Sequence, residues 1–212
     1  MGPKEKAVVL ASGGLDSAAL LAWALDRYRH VQPVYCRFGL RWERAELHWL
    51  KKFVRALQRP GLLPLVVLES STKSLYANHW SLTGKNVPGY RSQDPAVYLP
   101  GRNALLLSHA AVFAASRNTT DILLGTLGKN PFPDATPRFF NAMARALSLA
   151  LRKPVHVLTP FRRMTKGAVL RSSRGIPLRF AFSCLNPRGL HPCGACNKCA
   201  ERDRALKLLP VR

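Results

Sequence analysis

The sequence is short of acidic residues: 11 Asp and Glu stand against 33 Lys and Arg, which gives a formal net charge of +22. This imbalance excludes an acidic surface and favours polyanionic partners such as nucleotides, pyrophosphate or nucleic acid. A compositional bias of the organism would explain the same charge without any ligand. Because carboxylates are so few, each one inside a motif is a strong candidate for contact with a metal or a substrate.

The sequence also lacks long apolar runs and has little cysteine. No run approaches the roughly 20 residues of a membrane-spanning helix, and the first ten residues lack the apolar core of a signal peptide. We therefore expect a soluble, cytoplasmic protein. Four of the five cysteines lie within residues 184–199, while Cys36 stands alone in an apolar run. In the cytosol, clustered cysteines indicate a metal site rather than disulfides.

Short apolar runs alternate with amphipathic stretches over the first 160 residues. We expect strands at residues 7–10, 32–38, 62–69, 121–125 and 155–160, and helices at about 16–28, 43–57, 102–117 and 138–151. This alternation predicts an α/β fold with a doubly wound parallel sheet. The polar connection 70–98 is long enough to be functional. Residues 161–212 show few strand patterns, so we expect a domain over 1–160 and a small, metal-stapled helical appendage over 161–212.

The stretch "SGGLDS", residues 12–17, follows the first predicted strand and opens the first helix. Ligands of open α/β sheets bind at the carboxyl ends of strands. Glycines let the backbone approach an anion, and a helix N-terminus offers free N–H groups. The stretch lacks the lysine of a Walker A loop and the third glycine of a dinucleotide fingerprint. The alternative is a plain turn in which Asp16 only favours the helix N-terminus.

The cysteines Cys184, Cys193, Cys196 and Cys199 have the spacing C-x8-C-x2-C-x2-C. Four thiolates at this spacing can close a tetrahedral Zn²⁺ site, which would be structural because no position stays open for water. Three alternatives remain: His191 in place of one cysteine, an iron–sulfur cluster, or a disulfide pair.

These motifs together resemble a known family. "SGGLDS" is similar to the pyrophosphate loop of the N-type ATP pyrophosphatases, which have the adenine nucleotide alpha hydrolase-like fold. The cysteine segment "SC…CGACNKC" resembles that of the 7-cyano-7-deazaguanine synthase family of the queuosine pathway. "LPGRN" (99–103), "GTLGKNPFPDATPRFF" (125–140) and "TPFRRMTKGAV" (159–169) resemble further stretches of that family in the same order. The resemblance therefore runs over nearly the whole chain.

The resemblance implies an ATP-dependent ligase that converts 7-carboxy-7-deazaguanine and ammonia to the nitrile, preQ0, through adenylated intermediates. It implies ATP, Mg²⁺ and Zn²⁺ as cofactors and a homodimer as the assembly. Phosphates would contact Ser12, Gly13, Gly14 and Ser17, and Asp16 would hold Mg²⁺, a suitable role for a hard oxygen ligand. The whole nucleotide-binding stretch would comprise Ala11, Ser12, Gly13, Gly14, Leu15, Asp16, Ser17 and Ala18.

The resemblance also implies roles nearer the substrate. Arg102 would bind phosphate or the substrate carboxylate, because its fork suits bidentate anion binding. Lys166 would neutralise phosphate charge and act with Asp16 and Arg102 in catalysis. Asp134 would accept hydrogen bonds from the deazaguanine edge, beside Thr126 and a stacking Phe132. The alternatives are a surface arginine, a solvated lysine and a turn aspartate.

The middle of the chain departs from the family pattern. Arg37 stands where the family has an acid, and Leu40 and Trp42 stand where it has polar residues. We expect Glu46, on the second predicted helix, to be a solvated helix charge rather than a magnesium ligand. The departures leave open a paralogue that activates another acid. A tRNA thiolation enzyme is a further alternative supported by the basic charge, although Cys36 is a poor nucleophile candidate. Binding of nucleic acid without catalysis is not favoured, because it needs no pyrophosphate turn.

Overall fold

One parallel sheet organises the computed structural model, which describes residues 4–128, 130–173 and 175–208. The strand order is β3-β2-β1-β4-β5, and every neighbouring pair is parallel. The chain moves outward from β1 to β2 and β3, then returns to the other side of β1, so the switch point lies at the carboxyl end of β1. The predicted doubly wound sheet is confirmed. The strands are β1 Lys4–Leu10, β2 Tyr28–Arg37, β3 Val66–Glu69, β4 Asp121–Leu123 and β5 His156–Leu158.

Helices cover both faces of this sheet. They are α1 Leu15–Leu25, α2 Glu43–Leu57, α3 Lys73–Tyr76, α4 Trp80–Thr83, α5 Arg102–Ser116, α6 Pro137–Leu151, α7 Lys166–Ser172 and α8 Asn197–Leu206. Short 3₁₀ turns occur at Asp94–Val97, Pro133–Ala135 and Leu178–Phe180. The predicted helix 43–57 has the bounds of α2. No helix of the described residues is long and apolar enough to cross a bilayer.

Strand β1 shows why both faces are buried. Val8 packs into a cluster with α5, while its neighbours Ala7 and Val9 pack into a second cluster with α1. Because successive side chains of a strand point to opposite faces, a strand buried on both sides reads as a continuous apolar run. This packing places the loop after β1 at the open edge of the sheet.

The connection 70–98 contains α3 and α4 and is pinned at its second half to the cysteine segment. The backbone N–H of Asn197 donates to the Pro88 carbonyl at 3.0 Å, and its side-chain amide donates to the Ser92 carbonyl at 2.7 Å. Gly89 pairs with Cys196 in an antiparallel bridge. The long connection and the C-terminal segment therefore form one contiguous surface.

Candidate active site

Two glycines shape the loop after β1. Gly13 has φ +80, and a Cβ there would lie 3.2 Å from Cβ of Leu50 on α2. Glycine therefore meets both the backbone conformation and the close approach. The Gly13 carbonyl accepts the backbone N–H of Phe182 at 2.8 Å. Gly14 has extended backbone and precedes the first turn of α1.

Hydroxyls surround the N-terminus of α1. Ser17 Oγ donates to the Gly14 carbonyl at 3.1 Å, and Ser12 Oγ lies 3.3 Å from Ser17 Oγ. These donors, together with the unpaired N–H groups of the first turn, form the arrangement that binds anions at helix N-termini. The loop thus has the chemistry of a phosphate cradle.

Asp16 lies in the first turn of α1 with its carboxylate largely buried. Oδ2 accepts from Lys166 Nζ at 2.6 Å, whereas Oδ1 is buried without a hydrogen-bond partner in the described part of the chain. Burial raises the pKa of Asp16, and Lys166 opposes that rise. An unpartnered carboxylate oxygen at a phosphate-binding loop fits Mg²⁺, which prefers hard oxygen ligands.

Lys166 is held by two carboxylates. Besides Asp16, it donates to Glu201 Oε1 at 3.0 Å, and Glu201 Oε2 accepts from Lys198 at 2.6 Å. Burial raises the pKa of Glu201, but the two lysines more than offset this and lower it to about 2. The Lys166 side chain is 19% exposed, so it is not a solvated lysine. Glu201 gave no signal in the sequence, because 35 residues separate it from Lys166.

Arg102 begins α5 in an aromatic and acidic setting. Its guanidinium lies 5.8 Å from the ring centroid of Trp42, within range of a cation–π contact. Arg102 Nε is buried and has no hydrogen-bond partner in the described residues. Trp42 also stacks on Trp80, with ring centroids 5.8 Å apart. A guanidinium whose buried Nε has no partner in this part of the chain suits an anionic ligand.

Glu46 on α2 lies near this arginine, and its interpretation as a solvated helix charge was wrong. It is 9% exposed, and Tyr35 donates its hydroxyl to Glu46 Oε2 at 2.8 Å. Burial raises the pKa of Glu46 to about 7, although Arg102 and Tyr35 lower it. Glu46 lies four and seven residues before the buried Leu50 and Phe53, and this spacing on the buried face of α2 was the missed signal.

Asp134 occupies the 3₁₀ turn beside α5 and is buried. Its Oδ2 accepts the backbone N–H of Asn103 at 3.0 Å, and its carbonyl accepts the Asn103 side-chain amide at 2.9 Å. Asp134 therefore anchors the start of α5, next to Arg102. Phe132 faces Tyr98 with ring centroids 5.2 Å apart, and Thr126 is half-buried in the loop after β4. Substrate contacts by Asp134, Phe132 and Thr126 stay predictions.

The sulfur atoms of Cys184, Cys193, Cys196 and Cys199 all lie within 4.8 Å of one another. Backbone N–H groups of Leu185 and Cys193 donate to Cys196 and Cys184, each at 3.3 Å. His191 is exposed and is not part of this group. All four thiols are free, so the arrangement fits a metal ion bound by four thiolates.

Comparison with known proteins agrees with this geometry. The chain matches the family model described as "Queuosine biosynthesis protein QueC" over residues 6–209. It is 32% identical over 207 residues to the 7-cyano-7-deazaguanine synthase of Thermoplasma acidophilum, covering 94% of this chain and 86% of that protein. It is 33% identical over 214 residues to the synthase of Methanosphaerula palustris, covering 95% and 94%. The NMN synthetase of Francisella tularensis shares the fold, with TM-score 0.52, 14% identity, and coverage of 99% and 80%.

Proposed function

The chain belongs to the QueC family, and from that premise we propose that it makes 7-cyano-7-deazaguanine from 7-carboxy-7-deazaguanine, ammonia and ATP. One observation carries the assignment of the nucleotide site. The phosphate-type loop at the switch point ends in Asp16, whose Oδ2 is paired to Lys166 and whose buried Oδ1 has no partner among the residues that the structure describes. Such a carboxylate is ready for a cation that accompanies a nucleotide.

The chemistry requires two activations. A carboxylate resists attack by ammonia because its oxygen leaves poorly, so its oxygen attacks the α-phosphorus of ATP and pyrophosphate departs. Ammonia then displaces AMP, which yields the amide and releases a proton. A second adenylation, at the amide oxygen, releases a second pyrophosphate. Loss of AMP and of both amide N–H protons then leaves the nitrile. Each activation needs an in-line approach and neutralised pyrophosphate charge.

Residues of this chain supply those needs in the proposed mechanism. Ser12, Gly13, Gly14 and Ser17 hold the departing pyrophosphate through hydroxyl and N–H donors. Mg²⁺ held by Asp16 would supply charge neutralisation at the phosphates. Lys166 would donate to a phosphate oxygen from the same side.

The substrate side rests on the residues around α5. Arg102 would bind the carboxylate of the acid, because its guanidinium lies over the Trp42 ring and its buried Nε has no hydrogen-bond partner among the described residues. Asp134 would accept from the deazaguanine ring, with Phe132 and Thr126 beside it.

We further propose that the four cysteines hold Zn²⁺ as a structural ion in a segment, 161–212, that packs on the nucleotide domain, 1–160. Free thiols of this kind persist in a reducing compartment, so we propose a cytoplasmic location. A homodimer is proposed from the family. Binding of nucleic acid to the basic surface is not favoured.

The test is to incubate the purified protein with ATP, Mg²⁺, ammonium and 7-carboxy-7-deazaguanine. Mass spectrometry should then detect AMP and the nitrile as products. The proposal predicts about two AMP per nitrile. Absence of acid-dependent AMP from folded, metal-loaded protein would refute it. AMP formed with a different acid would identify a paralogue.

A tRNA thiolation activity has no support at Cys36, the cysteine outside the cluster. Burial raises the pKa of the Cys36 thiol to about 12, an effect that Arg102 opposes. A thiol of that pKa is almost wholly protonated at neutral pH and is a poor nucleophile. We expect Cys36→Ala to synthesise the nitrile at the wild-type rate. We also expect the wild type to transfer no sulfur to tRNA.

A further inference from the structure

Two carboxylates from distant parts of the chain share one ammonium group. Lys166, the first residue of α7, lies 2.6 Å from Asp16 Oδ2 and 3.0 Å from Glu201 Oε1. The three side chains are only 19%, 26% and 31% exposed for Lys166, Asp16 and Glu201. Partial burial strengthens such charge-assisted bonds relative to pairs in water.

Glu201 is itself fixed from the other side. Lys198 donates to its second carboxylate oxygen at 2.6 Å. Both residues lie on α8, whose first turn contains Cys199 of the cysteine group. The cluster thus has two carboxylates, Asp16 and Glu201, and two ammonium groups, Lys166 and Lys198. Its net charge is zero without a ligand.

Lys166 and a divalent cation compete for the carboxylate of Asp16. An ammonium paired with Asp16 alone would oppose any cation that approaches the same carboxylate. A second carboxylate gives Lys166 a partner that stays in place when Asp16 turns to the cation. No substrate or nucleotide contact by Glu201 is needed for this effect.

We propose that Glu201 is a positioning residue that holds Lys166 beside the loop, so that Asp16 is free to bind the divalent cation of the nucleotide. The inference rests on the proposed function, because it takes Asp16 as the cation ligand. It assigns to the cysteine-bearing helix a direct part in ordering the nucleotide site.

Binding of α,β-methylene-ATP, measured by calorimetry with and without Mg²⁺, tests this without turnover. Glu201→Gln should weaken binding with Mg²⁺ roughly tenfold, the scale of one charge-assisted hydrogen bond. Glu201→Asp keeps the charge but shortens the reach, so it should weaken binding as well. Glu5→Gln, at a carboxylate whose side chain is 74% exposed, is the matched control and should bind as the wild type does.

A double-mutant cycle with Lys166→Met separates positioning from through-space charge. If Glu201 acts through Lys166, Glu201→Gln should change binding less than about twofold in the Lys166→Met background. An equal loss in both backgrounds, or wild-type binding by Glu201→Asp, would overturn the inference. If the wild type itself binds no nucleotide with Mg²⁺, the proposed function fails instead. Metal content and thermal melting establish that each variant is folded, and Glu201→Asp carries the test if Glu201→Gln does not fold.

Discussion

Phe182 donates its backbone N–H to the carbonyl of Gly13 at 2.8 Å, which joins the cysteine-bearing segment to the glycine loop. The next residue, Ser183, continues the contact, because its Oγ lies 3.4 Å from the position that a Cβ at Gly14 would take. The Ser183 carbonyl in turn lies 3.9 Å from the Cys199 sulfur. The cysteine group and the proposed pyrophosphate loop are thus parts of one packed unit.

Loss of the proposed metal ion should therefore loosen the connection 70–98 as well as the C-terminal segment. Cys196→Ser removes the central thiolate of the group, beside the Gly89 bridge, and should lower metal content and the melting temperature. The loss should amount to several kcal/mol of unfolding free energy, because structural metal binding is coupled to folding. Limited trypsin digestion should then cleave faster at Lys85 and Arg91.

The matched control is Cys36→Ser, since Cys36 lies in β2 outside the metal group. It should keep the metal and the wild-type digestion rate at those two sites. Equal protection of Lys85 and Arg91 in metal-loaded and metal-free protein would contradict the coupling.

Asp16→Asn should abolish nitrile synthesis and leave the fold intact. Burial raises the pKa of Asp16 above its usual value, so the ionised form costs stability above pH 4 and a neutral amide removes that cost. We expect turnover to fall by at least roughly 10³-fold, the scale of losing a preorganised electrostatic contact, with an unchanged or higher melting temperature. Asp26→Asn, at an exposed pair with Arg59, is the control. Turnover by Asp16→Asn near the wild-type rate would refute the role of Asp16 as a cation ligand.

The sequence predicted the sheet and the main helices because their patterns are local. The alternation of buried strands with amphipathic helices gave the doubly wound order, and the bounds of α2 agree at both ends. The short strands were harder: β3 begins at Val66 rather than at residue 62, since Pro64 interrupts the apolar run. The connection 70–98 contains the one-turn helices α3 and α4, which no hydrophobic periodicity in the sequence predicts.

The site could be predicted only where its residues are close in sequence. The loop 12–17 and the four cysteines were found because each forms a compact motif. The contacts of Lys166 with Glu201, and of Asp134 with Asn103, join residues 35 and 31 positions apart. No spacing rule covers such pairs, because they depend on how α7, α8 and the turn before α6 pack.

Asp121 should be the main stabilising carboxylate at the opposite edge of the sheet. It accepts from Lys4, the Tyr28 hydroxyl and His156, each at 2.8 Å, and so links β4 to β1, β2 and β5. Burial raises the pKa of Asp121, but these three donors lower it overall, below 3.8. Its contribution is therefore fully present above about pH 4 and is lost as the pH falls through the lowered pKa.

Asp121→Asn should cost roughly 2 kcal/mol at pH 7, less than a fully buried pair because Lys4 and His156 are largely exposed. The difference from the wild type, measured by urea unfolding, should shrink as the pH falls below 4. A difference in unfolding free energy that stays constant from pH 7 to pH 3 would contradict an ionised Asp121 that binds these three donors.

Glu46→Gln should stabilise the protein at alkaline pH. The pKa of Glu46 is raised by burial to about 7, against 4.5 in an ordinary environment. The native state therefore keeps a proton that the unfolded state loses, so the unfolding free energy falls as the pH rises from 4.5 to 7 and levels off above pH 7.

The glutamine of Glu46→Gln accepts the hydrogen bond of the Tyr35 hydroxyl without this cost in unfolding free energy. Urea unfolding should show a variant more stable than the wild type by roughly 3 kcal/mol at pH 8 and equal to it at pH 4. Glu69→Gln, at an exposed pair with Arg37, should change stability by less than about 0.5 kcal/mol at either pH. Parallel pH profiles of Glu46→Gln and the wild type would show that Glu46 is ionised in the native state at no cost, contrary to its buried position on α2.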